Sequence, residues 1–202
     1  MPAESSPATG SGVILCTQPP MIRTIFLREG GSMQLAFPHV LYALFYFQTE
    51  AHPFQLKKLN VMWGQQPFAC DPTEKVYGLP IRNHDGAFAT CFYQWPSAKT
   101  AEEFIEKVVG QYWLSPFGEY EDWASFWSRR YKAKNPKFLA EWTQATKDKN
   151  YNYAMEKVLL QADYVVTLGK LLETNKSHYA TSGVQIMNWN GNTSLIKKIK
   201  ND

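Results

Sequence analysis

The chain has 202 residues, 45% of them hydrophobic and 19% charged, a balance that excludes a disordered polymer and lets a sizeable core form. Its net charge of +3 is too small to demand a nucleic-acid partner, and its longest apolar run, residues 40–47, is far too short to span a bilayer. Three cysteines without C-x-x-C spacing argue against a disulfide framework and for a reducing compartment.

Residues 1–12 are rich in Ser, Pro, Ala and Gly and read as a flexible tail; they lack the basic stretch that opens a secretory signal. The expected localisation is therefore cytoplasmic, with no membrane partner. Two short β-rich runs, VILCTQ and MIRTIFLRE, are separated by Pro19 and Pro20, where a strand cannot easily continue. Gly30-Gly31 marks a turn. The run VLYALFYF shows no decisive period, so a buried strand and a buried helix both fit it, and its aromatic content favours the strand. In FQLKKLNVMWG, Leu59, Val61 and Trp63 recur at period two, the spacing of one sheet face. Residues 65–72 read as a loop. His84-Asp85-Gly86 then falls between two apolar runs, which is a hairpin signal.

After Pro96 the period changes. Thr100 and Glu103 form the T-x-x-E start of a helix, in which each side chain satisfies a free backbone N–H. Phe104, Ile105, Val108, Val109, Tyr112 and Trp113 follow at three-and-four spacing, and Pro116 stops the helix. A second helical pattern carries Trp123, Phe126, Trp127 and Tyr131. A third carries Phe138, Leu139, Trp142 and Ala145. A fourth is expected over residues 151–172, with Val165 and Val166 turned inward and Gly169 weakening its end. Asn190-Gly191 between VQIMNW and TSLIKKIK predicts a terminal β-ribbon. Strands first and helices after is the α+β pattern: an antiparallel β-meander sheet packed by C-terminal helices. This divides the chain into a tail (1–12), an α+β domain (13–118) and a helical extension (119–202).

No phosphate loop, dinucleotide fingerprint, H-E-x-x-H or G-x-S-x-G is present, and the four histidines lie far apart in sequence, so neither a cofactor nor a metal is expected. Cys91 is the candidate nucleophile. A thiolate near neutrality needs a cation or a helix N-terminus nearby, and Lys99, His84 and the helix beginning at Thr100 are candidates for that role. The competing reading is a cysteine packed among Phe88, Phe92, Tyr93 and Trp95. Cys70, in a loop, reads as exposed and without an activating partner. From residue 129 onward, thirteen Lys/Arg stand against six Asp/Glu, about +7, whereas the first 128 residues carry eight against twelve. Arg129, Arg130, Lys132 and Lys134, interleaved with Trp127 and Tyr131, form a candidate surface for a partner or for nucleic acid, because cations and aromatic faces together engage backbones and bases. A solvated helix face would have the same composition.

The order of β-meander, Pro-containing segment, turn glycine, cysteine, Trp-Pro step and capped helix resembles the E2 ubiquitin-conjugating fold. Within it, the chain is similar to the prokaryotic E2-like proteins of plasmids and phages, including the plasmid PRTRC-system B family. LPIRNHDGAFATC and the later QYWLSPF are the matching stretches, over roughly residues 32–118. The family's His-Pro-Asn reads Leu79-Pro80-Ile81 here, which leaves Asn83 to substitute as the oxyanion-stabilising asparagine. The resemblance implies an E2-like core, a protein partner, a ubiquitin-like protein as its candidate, and either plain binding or thioester formation on Cys91.

Overall fold

The computed structural model describes residues 10–27, 30–78, 84–85, 89–90, 95–117, 137–157, 165–176, 184–189 and 194–199. The fold is α+β, a curled, chiefly antiparallel sheet packed by helices. Strand β1 (Gly10–Gln18) ends at the two prolines, and β2 (Met21–Phe26) and β3 (Ser32–Phe37) form a separate hairpin. Gly30 and Gly31 turn that hairpin at φ +95° and +89°, a region that side chains resist. Residues 10–12, expected in the tail, belong to β1, where Gly10, Ser11 and Gly12 pair with Gln48, Phe47 and Tyr46.

Strand β4 (His39–Gln48) lies between β1 and β5 (Phe54–Gly64), antiparallel to both, and β6 (Lys75–Gly78) continues the meander. The missing period in VLYALFYF follows from this central place. Val40, Tyr42, Leu44 and Tyr46 enter one core cluster, while Leu41, Ala43 and Phe45 enter another on the opposite face. A strand buried on both sides has no polar face to alternate.

Two short pairs, β7 (His84–Asp85) and β8 (Ala89–Thr90), form the expected hairpin, with Asp85 opposite Ala89. His84 and Asp85 therefore lie in the strand rather than at its turn. β9 (Ser97–Ala98) pairs with the start of β5 and leads into α1 (Ala101–Leu114), which buries all six residues of its predicted apolar stripe. The cap forms with one change. Thr100 accepts the Glu103 N–H at 3.2 Å, while the Glu103 carboxylate accepts from the N–H of Lys99 at 3.1 Å.

Helix α2 (Phe138–Lys147) packs on β3, and α3 (Tyr153–Lys157) follows. The single helix expected over residues 151–172 is instead α3, a strand β10 (Val165–Thr167) and a helix α4 (Leu168–Thr174). The β-branched run Val-Val-Thr suits an edge strand, where it pairs with β6. Thr167 then caps a new helix by accepting the Lys170 N–H. Residues past 118 thus do more than extend the domain. β10 closes one edge of the sheet, and β11 (Val184–Trp189) with β12 (Ser194–Ile199) forms the other. β11 runs parallel to β1, the one parallel pairing among the described strands, and β12 pairs antiparallel with β11.

Candidate binding face and thiols

Two helices and the small hairpin cover the first face of the sheet. α1 contributes Tyr112 and Trp113, α2 contributes Trp142, and Phe37 of β3 meets Trp63, Trp113 and Trp142 edge to face at 4.8–5.6 Å. Within this layer lies a polar chain. The Trp113 Nε1–H donates to the Tyr42 hydroxyl at 2.8 Å, and that hydroxyl donates to Gln18 Oε1 at 2.8 Å. Arg23 donates to the same oxygen at 2.9 Å and sets its guanidinium over the Trp113 ring. Burial pushes the Tyr42 hydroxyl far above its ordinary range, against the opposing pull of Arg23, so it remains a neutral donor. Burial lowers the pKa of Arg23. This chain joins β1, β2, β4 and α1, and its positions in sequence gave no spacing signal to find it by.

The outward side of α1 is different. A shallow groove of about 490 Å³ runs beside Glu106, Lys107, Gly110, Gln111, Leu114 and Pro116. Leu114 stands 70% exposed there. The chain then turns inward, because the Phe117 N–H donates to the Phe26 carbonyl at 2.7 Å. Phe26, on β2, is itself an exposed aromatic. Sequence reading gave neither residue a role. The signal available was Leu114, an apolar residue outside the six-residue stripe of its own helix.

The thiols divide. Cys16 is fully buried in β1, and burial pushes its pKa far up, with Cys70 adding to the effect. Cys70 was expected to be exposed and is only 6% accessible. It lies among Leu168, Leu171 and Met62 with its backbone at φ 59°, and its N–H donates to the Glu74 carboxylate at 3.0 Å. Burial first, then the Glu74 charge, pushes its thiol up to about 12. Neither sulfur is a nucleophile near neutrality.

Of the residues singled out from sequence, Cys91, Asn83, Trp127, Arg129, Arg130, Lys132 and Lys134 lie outside the described residues. His84 is placed in β7 opposite Thr90. Trp95, grouped with the residues suited to burial, is half exposed. Among the described residues, no three His, Cys, Asp or Glu side chains converge as a metal cluster, and no helix is long and apolar enough to cross a membrane.

The class that fold and site define is an α+β domain with one exposed leucine, Leu114, at the end of a largely polar outer helix face. Comparison with protein-family models, curated proteins and solved structures finds no match, so no activity passes to the chain by likeness.

Proposed function

We propose that the chain is a protein-binding α+β domain of the E2-like kind, and that the outer face of α1 receives the partner. The observation that carries this reading is Leu114, a large apolar side chain left in water at the lip of a groove. A leucine at the lip of a concavity lets a partner's apolar side chain bury area on both sides at once. The groove is open and elongated along the helix, which suits an amphipathic segment inserting one apolar side chain beside Leu114, rather than a small molecule needing enclosure. The consecutive order of β4, β5 and β6, followed by α1, is compatible with the E2-like resemblance. The test is a photo-crosslinking residue at position 114, with position 173 of α4 as control, in cells that make the chain. A discrete adduct from 114 that disappears with Gly110→Arg is expected. The same adducts from both positions, or none from 114, would overturn the proposal.

A second reading is favoured by the burial of Cys16 and Cys70, which narrows any thiol chemistry to the third cysteine, Cys91. In that reading the Cys91 thiolate attacks the thioester carbonyl of an activated ubiquitin-like protein. The tetrahedral oxyanion is steadied by an amide donor and collapses, expelling the donor's thiolate and leaving the acyl group on Cys91. Alkylation of the native chain tests it cleanly against two silent thiols. Fast labelling of Cys91 with an apparent pKa below the ordinary 9.0 of a thiol is the expected result. No labelling until denaturation would exclude catalysis and leave the binding proposal intact.

A further inference from the structure

The sheet acquires its β1 edge in an unusual way. β1 is among the most deeply buried strands, with Val13, Ile14, Leu15 and Cys16 sealed from solvent. Yet its outer neighbour arrives from the far end of the chain. Val184, Gln185, Ile186, Met187 and Asn188 pair in parallel with Val13, Ile14, Leu15, Cys16 and Thr17. β11 pairs with β1 on one side and with β12 on the other, and β12 is the outermost strand in the sheet order. The ribbon's ladder to the rest of the sheet therefore runs along the β1 edge, whereas β4 is hydrogen-bonded on both edges.

We propose that the β1 edge is a strand-acceptor site, and that the 184–199 ribbon exchanges between two copies of this chain. The strand that fits the edge is already known from its register, and a second copy carries the same ribbon and the same edge. Exchange is then reciprocal and closes on itself as a twofold pair. The backbone bonds of the ladder are identical whether the ribbon comes from its own chain or from the other. Only residues 177–183 separate the end of the described α4 region from β11, so at low concentration the tethered ribbon wins through its high effective concentration, and exchange grows as the chain is concentrated. β12 contains Lys197 and Lys198, and a charged outer strand discourages further strands from adding beyond the pair. This inference is independent of the α1 face.

The test uses the full chain carrying Gln185→Pro and Ile186→Pro. Successive N–H groups point to opposite neighbours, so replacing both removes at least one bond to β1. A fluorescein-labelled synthetic peptide of residues 183–200 is the probe. Expected is saturable binding to the variant and at least about tenfold weaker binding to the native chain, whose own ribbon competes. A variant that keeps the native near-ultraviolet circular dichroism yet ignores the peptide overturns the proposal. If the variant loses that signal, hydrogen exchange of the native chain decides. Ribbon amides that exchange together, at least about tenfold faster than those of β4, support it. Ribbon amides protected as strongly as β4 overturn it.

Discussion

The two faces of the sheet are covered by different means. On the first, aromatic side chains from β3, α1 and α2 interlock over Tyr42, Val61 and Trp63. On the second, the aliphatic side chains of Val13, Leu15, Leu41 and Ala43 lie with Leu168, Leu171 and Leu172 of the seven-residue α4. Aromatic residues with polar edges fix direction as well as burying area wherever the N–H or O–H finds a partner, which the buried Trp63 Nε1 does not among the described residues. Trp142 Nε1 finds the Ala36 carbonyl at 2.9 Å, and Trp113 finds Tyr42. Aliphatic side chains fix no direction, so backbone and polar ties orient α4. The Leu168 and Gly169 N–H groups donate to the carbonyls of Glu74 and Pro72, each at 2.8 Å, and Lys58 donates to Asn175 Oδ1, also at 2.8 Å, where the helix ends. A short helix can serve as a lid provided it is tied at both ends.

Trp142→Ala is expected to have the largest effect, because it removes a fully buried ring, two edge-to-face contacts with Phe37 and Trp63, and the bond to Ala36. A loss of about 3–5 kcal/mol in urea unfolding is expected. A loss below about 1 kcal/mol would mean that the aromatic layer does not hold the hairpin in place.

Gly169→Ala probes the other face. A methyl group there meets the Pro72 carbonyl oxygen at 2.9 Å and its Cβ at 3.1 Å. The clash is with backbone, so α4 must shift, and the gain in helix propensity offsets only part of the cost. A net loss of about 1–2 kcal/mol is expected, with hydrogen exchange speeding up in α4 while α1 and β3 stay protected. Uniform acceleration of both faces would show that they unfold as one unit.

The smallest effect is nil at neutral pH and concerns Cys70. Its pKa in the folded chain, about 12, lies above the ordinary 9.0. The unfolded chain therefore releases the thiol proton first, and the stability this contributes is complete below pH 9 and lost as pH rises towards 12. Cys70→Ala should flatten that part of the pH–stability curve relative to the native chain, leaving the fall due to Cys16 and the buried tyrosines. Identical slopes above pH 9 would show that the thiol is solvated.

How much of this was legible depends on how local the cause is. α1 was readable residue by residue, because a cap, a stripe and a stopping proline all lie within seventeen positions. The Gly-Gly turn and the central strands were readable for the same reason, although β4 has no period because it is buried twice. The 151–172 stretch was misread because helix spacing at Ala154 and Val158 was carried through Val165 and Val166, where pairing with β6, some ninety residues earlier, takes precedence. Cys70 was misread because a loop was equated with exposure, and the helix that covers it comes about a hundred residues later. The Gln18–Tyr42–Trp113 chain has no local signature at all, and the parallel union of β1 with β11 lies beyond any reading by neighbourhood. Of the candidate site, the sequence supplied the helix under the groove but not the exposed leucine at its end.

Ala36 shows what such distant closure means in time. Its N–H donates to the Thr146 hydroxyl at 2.8 Å, that hydroxyl donates to the Trp142 carbonyl, and Trp142 returns a bond to the Ala36 carbonyl. The free edge of β3 is thus stitched by a helix that leaves the ribosome more than a hundred residues after it. At about 5–20 residues per second, the nascent hairpin waits seconds with that edge bare. A chaperone able to hold an open β-edge, or a pause in translation near residue 40, should therefore alter the yield of native chain more than any change to the surface of the finished molecule.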